Sequence, residues 1–120
     1  MKNARTWVAE ELGEIAGFVV ADLEPHGAAH IITVDVVEER RRKGVGGTLM
    51  EAAETWARRE RCRLLYLETA EDNLAAQGFY EARDYTKIER IPDYYSPGQA
   101  AWVMVKWLGS SPEAWPPRAP

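Results

Sequence analysis

Cysteine is almost absent from this chain of 120 residues, in which Cys62 is the only one. A single cysteine excludes an internal disulfide and a thiolate metal cluster, and it fits a reducing compartment. No stretch approaches the length of a membrane span, and residues 1–14 lack the apolar core of a signal peptide. We therefore expect a cytoplasmic protein with no metal site and no membrane partner.

The chain also has no excess of positive charge, because its 15 Lys and Arg residues are outnumbered by 19 Asp and Glu residues, which gives a net charge of −4. This balance argues against a nucleic-acid partner. The consecutive cations of Arg40–Lys43 are therefore a local feature. The apolar content of 46% and the charged content of 28% are ordinary for a globular domain with its own core.

The pattern of apolar residues predicts the element order ββ-β-α-β-α-β-β. The first two strands flank Leu12-Gly13-Glu14 as a hairpin, and Ala28–Val37 is a β-branched third strand. A helix over Val45–Arg59 places apolar side chains near one face. That face comprises Val45, Leu49, Met50, Ala53, Trp56 and Ala57. The strand–helix–strand centre implies parallel pairing between antiparallel ends, so the predicted fold class is α/β (α+β), a mixed central sheet with two helices.

The second half of the chain continues with a buried strand, RLLYLETA, and a short helix in EDNLAAQGFYEARD that Asp72 or Asn73 caps. Two more strands, YTKIERI and AAWVMVKWL, are joined by the turn-rich segment PDYYSPGQ. We expect residues 1–108 to form one domain. Residues 109–120 are a proline-rich tail, which Trp115 could anchor.

The start of the first helix is glycine-rich and follows four cations, although a helix N-terminus favours Ser, Thr, Asp or Asn as its cap and negative charge nearby. Gly44, Gly46 and Gly47 leave room for a ligand to approach the backbone, where the N–H groups of the first turn are free. With Arg41, Arg42 and Lys43 beside them, these groups would bind a polyphosphate. The alternative is a solvated basic turn.

Two motifs together resemble one family. The pattern Arg41-x-x-Gly44-x-Gly46 after a strand is similar to the acetyl-coenzyme A loop of the GCN5-related N-acetyltransferases, the GNAT family. Downstream, LETAEDNLAAQGFYEARDY resembles the second motif of that family. The matching residues are Asn73, Ala76, Phe79 and Tyr80. The resemblance covers residues 6–108 and implies the GNAT fold.

Within that family, the closest likeness is to ribosomal-protein and N-terminal-peptide acetyltransferases. Glu68 and Tyr80 stand at the spacing of the base and acid of those enzymes, and IPDYYSPGQAAWVMVKW resembles their tyrosine-rich loop and the strand after it. One departure is Asp84-Tyr85, where the family usually has Gly-Phe. Another is that the family's first strand and two helices have almost no counterpart, so we expect an N-terminally truncated version of the fold.

The resemblance implies acetyl-coenzyme A as co-substrate, and it implies which residues hold it. Backbone N–H groups near Val36 and Val37 would hold the pantetheine and polarise the thioester carbonyl. The implied cofactor-binding residues are Val36, Val37, Arg41, Arg42, Lys43, Gly44, Val45, Gly46, Gly47, Thr48, Asn73, Ala76 and Phe79.

The same resemblance assigns catalysis to two side chains. Tyr80 would protonate the leaving thiolate, and Glu68, at the C-terminal end of a buried strand, would deprotonate the amine directly or through water. The alternatives are a core tyrosine and a surface carboxylate, and Asp35 is the rival base. His30 is interpreted as a structural strand residue. Cys62 is interpreted as inert, because direct transfer forms no acyl-cysteine.

We therefore expect an N-acetyltransferase that moves an acetyl group from acetyl-coenzyme A to a small amine or a peptide or protein amine in a ternary complex. The alternative is a non-catalytic acyl-coenzyme A-binding or interaction module on the same fold. Tyr94 and Tyr95 either cover the acceptor or pack within a hairpin. The strand near residues 6–11 would be an exposed edge with Trp7 open to solvent, which predicts a homodimer.

Overall fold

The computed structural model of the chain describes residues 4–41, 44–109 and 115–116. Arg42 and Lys43 lie outside the described residues, and so does most of the proline-rich tail. The strands and helices are β1 (Arg5–Glu11), β2 (Glu14–Glu24), β3 (Ala28–Val36), α1 (Val45–Arg59), β4 (Leu64–Ala70), α2 (Leu74–Ala82), β5 (Thr86–Ser96) and β6 (Gln99–Trp107). Within this part of the chain, neither helix is long and apolar enough to cross a membrane.

The strands form one mixed sheet in the order β1-β2-β3-β4-β6-β5. Four of the five pairings are antiparallel, and β3 and β4 are parallel because α1 connects them as a crossover. The predicted fold class, element order and parallel centre are thus confirmed.

The parallel strands at the centre of the sheet part from each other halfway along. Pairing joins only Ala28–His30 of β3 to Leu64–Tyr66 of β4. Both strands continue beyond this point, β3 to Val36 and β4 to Ala70. The sheet therefore carries a cleft between the C-terminal halves of its two central strands, which is where ligands of parallel strands gather.

Helix α1 packs on one face of the sheet because its apolar positions recur at helical spacing. Val45, Leu49, Met50 and Ala53 are all buried in the larger core cluster, with side chains of β2, β3 and β4. Trp56, which was predicted for the same face, is only partly buried, whereas Glu54, which was not, is 2% exposed. A smaller apolar cluster covers the opposite face, and its buried members are Ala28, Leu64, Val103 and Val105.

Strand β5 is longer than the sequence predicts, which corrects the turn predicted over residues 92–99. Tyr94 and Tyr95 lie in the strand, and the turn itself is confined to Pro97 and Gly98. Pro92 favoured the turn because a proline has no backbone N–H to donate to a neighbouring strand. An edge strand tolerates it, and the register is irregular between residues 91 and 96.

Strand β1 forms the other edge of the sheet, as predicted. The expectation that Trp7 is open to solvent is wrong, because its ring packs edge-to-face on Trp56 with centroids 5.2 Å apart and is half-buried. The apolar residues that are exposed in the first hairpin are Val8, Leu12 and Ile15. Trp115 packs its ring on Tyr66 with a centroid distance of 5.1 Å.

Candidate active site

A cleft with a volume of about 510 Å³ lies beside the parted end of β3, between the start of α1 and α2. Its lining residues are Val34, Asp35, Val36, Arg41, Gly44, Gly46, Gly47, Asn73, Ala75, Ala76, Phe79 and Tyr80. The fold therefore brings together most residues of the predicted cofactor site and the predicted acid, although they come from segments more than thirty residues apart.

The start of α1 supplies free backbone donors to this cleft. Gly44 is the N-cap residue in a left-handed conformation with φ of 84°, and no side chain among the described residues caps the helix. The first intrahelical bond runs from Thr48 N to the Gly44 carbonyl at 3.0 Å, so the N–H groups of residues 45–47 have no acceptor within the helix. Arg41 lines the same cleft, which makes this helix start suited to an anionic group.

The two neighbouring glycines in the first turn of α1 lack a side chain for different structural reasons. A side-chain carbon at Gly46 would stand 3.2 Å from the Phe79 ring, so the absence of a side chain allows α2 to pack closely. A carbon at Gly47 would meet only the flexible end of Arg83, at 3.4 Å. Gly46 thus serves packing between elements as well as the approach of a ligand.

The end of β3 offers one backbone N–H to the cleft and not two. Val37 N donates to the Ala16 carbonyl at 2.8 Å, so it is occupied, which corrects the expectation that it binds the ligand. Successive N–H groups of a strand point to opposite edges, so the Val36 N–H points toward β4, from which β3 has parted. The Val36 carbonyl accepts a hydrogen bond from Arg41 Nε at 3.0 Å.

Other members of the predicted cofactor set have roles of their own. Val45 is buried in the core, and the Thr48 hydroxyl donates to the Gly44 carbonyl at 3.0 Å. Neither lines the cleft. Asn73 does, and its Oδ1 atom accepts from Ala76 N at 3.1 Å, which confirms it as the cap of α2.

The Tyr80 ring lies between two other aromatic rings on the cleft side. Its centroid is 5.3 Å from that of Phe79 and 5.9 Å from that of Tyr85, and both contacts are edge-to-face. Burial, with Tyr95 nearby, raises the pKa of the Tyr80 hydroxyl, so the hydroxyl stays protonated at neutral pH. None of the described residues forms a hydrogen bond with it. The hydroxyl is therefore available as a proton donor at the cleft.

Glu68 lies on the opposite face of the sheet from α1, next to a histidine that the sequence analysis interpreted as structural. His30 Nε2 is 2.7 Å from Glu68 Oε1, and both side chains are mostly buried. The His30 ring stacks on Tyr66 with centroids 4.4 Å apart, and the Tyr66 hydroxyl donates to Glu24 at 3.1 Å. Only pairing across β3 and β4 could have revealed this contact.

The charge of Glu68 acts on the two tyrosines of β5. Burial raises the pKa of Tyr94, with Glu68 as a smaller cause, and it raises the pKa of Tyr95, with Tyr94 and then Glu68 as smaller causes. Tyr95 in turn adds to the effect of burial in raising the pKa of Tyr80. Asp35, the rival base, is exposed at the cleft wall.

Cys62 takes no part in this cleft. Burial raises the pKa of its thiol, with Glu60 as a smaller cause, so the reactive thiolate is disfavoured.

Comparison with known proteins matches residues 1–85 to the family described as Acetyltransferase (GNAT) family. An uncharacterised N-acetyltransferase of Methanocaldococcus jannaschii is 31% identical over 83% of this chain and 64% of its own length. An N-alpha-acetyltransferase of Saccharolobus solfataricus is 32% identical over 66% of this chain and 48% of its own length. The chain thus spans about half to two thirds of the length of these relatives.

A solved structure shares the fold. A Bacillus anthracis protein assigned as a streptothricin acetyltransferase, in complex with acetyl coenzyme A, superposes with a TM-score of 0.84 at 25% identity. The match covers 89% of this chain and 64% of that protein.

Proposed function

Because the chain belongs to the acetyltransferase (GNAT) family, we propose that it transfers an acetyl group from acetyl-coenzyme A directly to an amine in a ternary complex. The observation that carries this proposal is the parting of β3 and β4. It leaves a protonated hydroxyl, Tyr80, on the side of the glycine-rich helix start, and a carboxylate, Glu68, on the other side of the sheet.

The residues of the cleft fit acetyl-coenzyme A as co-substrate. The free N–H groups of Gly46 and Gly47 and the Arg41 guanidinium suit its pyrophosphate, and the Val36 N–H suits its pantetheine. When bound, acetyl-coenzyme A supplies an acetyl group on a thioester and a thiolate leaving group. Apolar side chains of Val34, Ala76 and Phe79 line the remaining wall and exclude water.

Two side chains move the protons of the reaction. Glu68, oriented by His30, takes a proton from the acceptor nitrogen, directly or through one water, and leaves that nitrogen nucleophilic. The new bond joins the nitrogen to the acetyl carbon, and the bond between that carbon and sulfur breaks. The nitrogen gives up its second proton to solvent water as the amide forms, and Tyr80 gives its hydroxyl proton to the departing sulfur. Tyr80 then regains a proton from solvent and Glu68 returns one to the solvent, so each ammonium acceptor releases one net proton.

The acceptor that we favour is the α-amine of a peptide. The name of the relative from Saccharolobus solfataricus supports this choice. Tyr94 and Tyr95 also support it, because they present half-exposed rings on an edge strand beside Glu68, where a peptide could lie. A small amine is the second candidate, because nourseothricin acetyltransferase shares the fold at 28% identity and a TM-score of 0.84.

The decisive experiment measures release of free coenzyme A from acetyl-coenzyme A with a panel of peptides and small amines. Turnover on an acceptor should fall about 10²-fold in Tyr80→Phe, which keeps the ring and removes the proton. Binding of acetyl-coenzyme A, measured by calorimetry, should be almost unchanged in that variant. Tight binding without turnover on any acceptor would favour the alternative of a non-catalytic acyl-coenzyme A-binding module.

A further inference from the structure

Glu54 is a buried carboxylate that the proposed acetyl transfer does not use. It lies in the middle of α1 and is 2% exposed. Its Oε1 atom accepts hydrogen bonds from Arg83 Nη2 at 3.2 Å and from Lys106 Nζ at 3.1 Å. Its Oε2 atom accepts one from the Tyr85 hydroxyl at 2.9 Å. Glu54 therefore joins α1 to the segment after α2 and to β6.

This cluster is more costly than the stability of a core requires. Two cations face one carboxylate, so the three side chains carry one surplus positive charge. Within the described part of the chain, the buried Arg83 Nε atom also has no hydrogen-bond partner. An unsatisfied buried donor destabilises the fold, because it has lost its hydrogen bonds to water and gained none in the protein. Departures of this kind from the rules of core packing gather at functional sites.

Tyr85 connects the cluster to the proposed acid. Tyr85 is 2% exposed, its hydroxyl donates a hydrogen bond to Glu54, and its ring packs edge-to-face on the Tyr80 ring. The resemblance to the family places Phe at this position, so the hydroxyl is a departure of this chain. A buried hydroxyl needs an acceptor, and Glu54 provides it.

Tyr80 is held by its neighbours and not by its own hydroxyl. No hydrogen bond from the described residues fixes that hydroxyl, so its direction depends on the rings of Phe79 and Tyr85. The main chain adds to this, because the Tyr80 carbonyl accepts from both Arg83 N at 2.9 Å and Tyr85 N at 3.0 Å.

We propose that Glu54 and Tyr85 are positioning residues for Tyr80, which they clamp between α1, β6 and the cleft. The inference rests on the proposed function, in which Tyr80 is the acid. Without the hydrogen bond to Glu54, the Tyr85 ring can shift along the core, and Tyr80 shifts with it. A displacement on the order of 1 Å at a reacting group can cost up to about 10²-fold in rate.

The test is a double-mutant cycle on kcat between Tyr85→Phe and Tyr80→Phe. Alone, Tyr85→Phe should lower kcat about tenfold and leave the KM for acetyl-coenzyme A unchanged. In the Tyr80→Phe background the same change should cause no further loss, because no hydroxyl remains to be positioned. Glu54→Gln should behave in the same way. If Glu54→Gln does not fold, the cycle with Tyr85→Phe is a sufficient test by itself.

A core variant away from the tyrosines, Ile31→Val, serves as the control for stability. It should lower the urea midpoint of unfolding and leave kcat unaltered. Losses that multiply in the double variant would overturn the positioning role while leaving Tyr80 as the acid. Full turnover of Tyr80→Phe would instead overturn the acid itself, and the positioning role with it.

Discussion

His30 Nε2 lies 2.7 Å from Glu68 Oε1, although the two residues are 38 positions apart and belong to different strands. The contact stands at the point where β3 and β4 part, because His30 and Tyr66 form the last pair between them. Glu68 follows Tyr66 by two residues and so shares its face of the sheet. The hydrogen bond therefore fixes the carboxylate at the mouth of the gap.

Glu68→Gln should reduce turnover most for the most basic acceptors and at the lowest pH. At pH 7 about a tenth of α-amines but only about one lysine in a few thousand is neutral, so a lysine amine demands more of the base. The measurement is kcat/KM across pH for a peptide α-amine and for a lysine side chain. Equal losses for both acceptors would mean that Glu68 positions the acceptor and is not its base.

His30→Gln should retain more activity than His30→Ala. Glutamine can still donate a hydrogen bond to the Glu68 carboxylate, whereas alanine leaves the carboxylate free to rotate. We expect the alanine variant to lose about tenfold in kcat, with little change in the binding of acetyl-coenzyme A. If both variants lose the same amount, the contribution of His30 is the stacking of its ring on Tyr66.

Arg41→Glu should weaken the binding of coenzyme A, because it places a negative charge at the cleft where the pyrophosphate is proposed to bind. Isothermal titration should show a loss of affinity of about tenfold or more. Arg5→Glu makes the same change of charge on exposed β1 and is the matched control. Equal affinities of the two variants would mean that the helix start is only a solvated basic turn.

Gly46→Val should destabilise the fold, whereas Gly47→Ala should be tolerated. The branched side chain at position 46 would press into the Phe79 ring, and such overpacking costs about 1–3 kcal/mol. At position 47 the added carbon displaces only the end of Arg83, and alanine favours a helix by up to about 1 kcal/mol over glycine. Urea unfolding of the three proteins separates these outcomes, and equal stabilities would contradict the contact with Phe79.

The protein should lose stability above pH 10 in part through Tyr85. Burial, followed by the nearby Glu54 carboxylate, raises the pKa of its hydroxyl above the ordinary value near 10. Above pH 10 the unfolded chain ionises this tyrosine while the folded chain keeps it protonated, so the free energy of unfolding falls with rising pH. The slope for one such group is about 1.4 kcal/mol per pH unit.

Urea unfolding between pH 9 and pH 11 measures this slope. Tyr85→Phe should have a shallower decline than the unaltered protein, because one raised pKa is removed. Tyr94→Phe is the control, since its ring is 44% exposed and its contribution is screened by solvent. Identical slopes for all three proteins would contradict a protonated Tyr85 in the folded state at high pH.

We expect the protein to form a homodimer through its first hairpin. Strand β1 is an edge strand, and Val8, Leu12 and Ile15 are 50%, 91% and 61% exposed. A twofold contact is the commonest way to cover such a surface. Sedimentation at micromolar concentration should give twice the chain mass of 13.6 kDa, and Val8→Lys should shift it toward the monomer. A monomer in the unaltered protein would contradict the prediction.

The sequence determined the order of the elements and the bounds of α1, and it restricted the cap of α2 to Asp72 or Asn73. These features depend on residues that are close along the chain. The apolar residues from Val45 to Ala57 recur at helical spacing, and the Asn73 side chain accepts a hydrogen bond from the N–H three positions later. The glycine-rich helix start and the Asn–Phe–Tyr motif were recognisable for the same reason.

Only the tertiary structure decided which groups meet. The hydrogen bond between His30 and Glu68, the buried cluster of Glu54 and the occupied N–H of Val37 all join residues from different elements. The same holds for β5, whose extension past Pro92 depends on its place at the edge of the sheet. A pattern along the chain reports the face on which a side chain lies, but its partner is set by strand register and helix packing, which bring distant residues within hydrogen-bond distance.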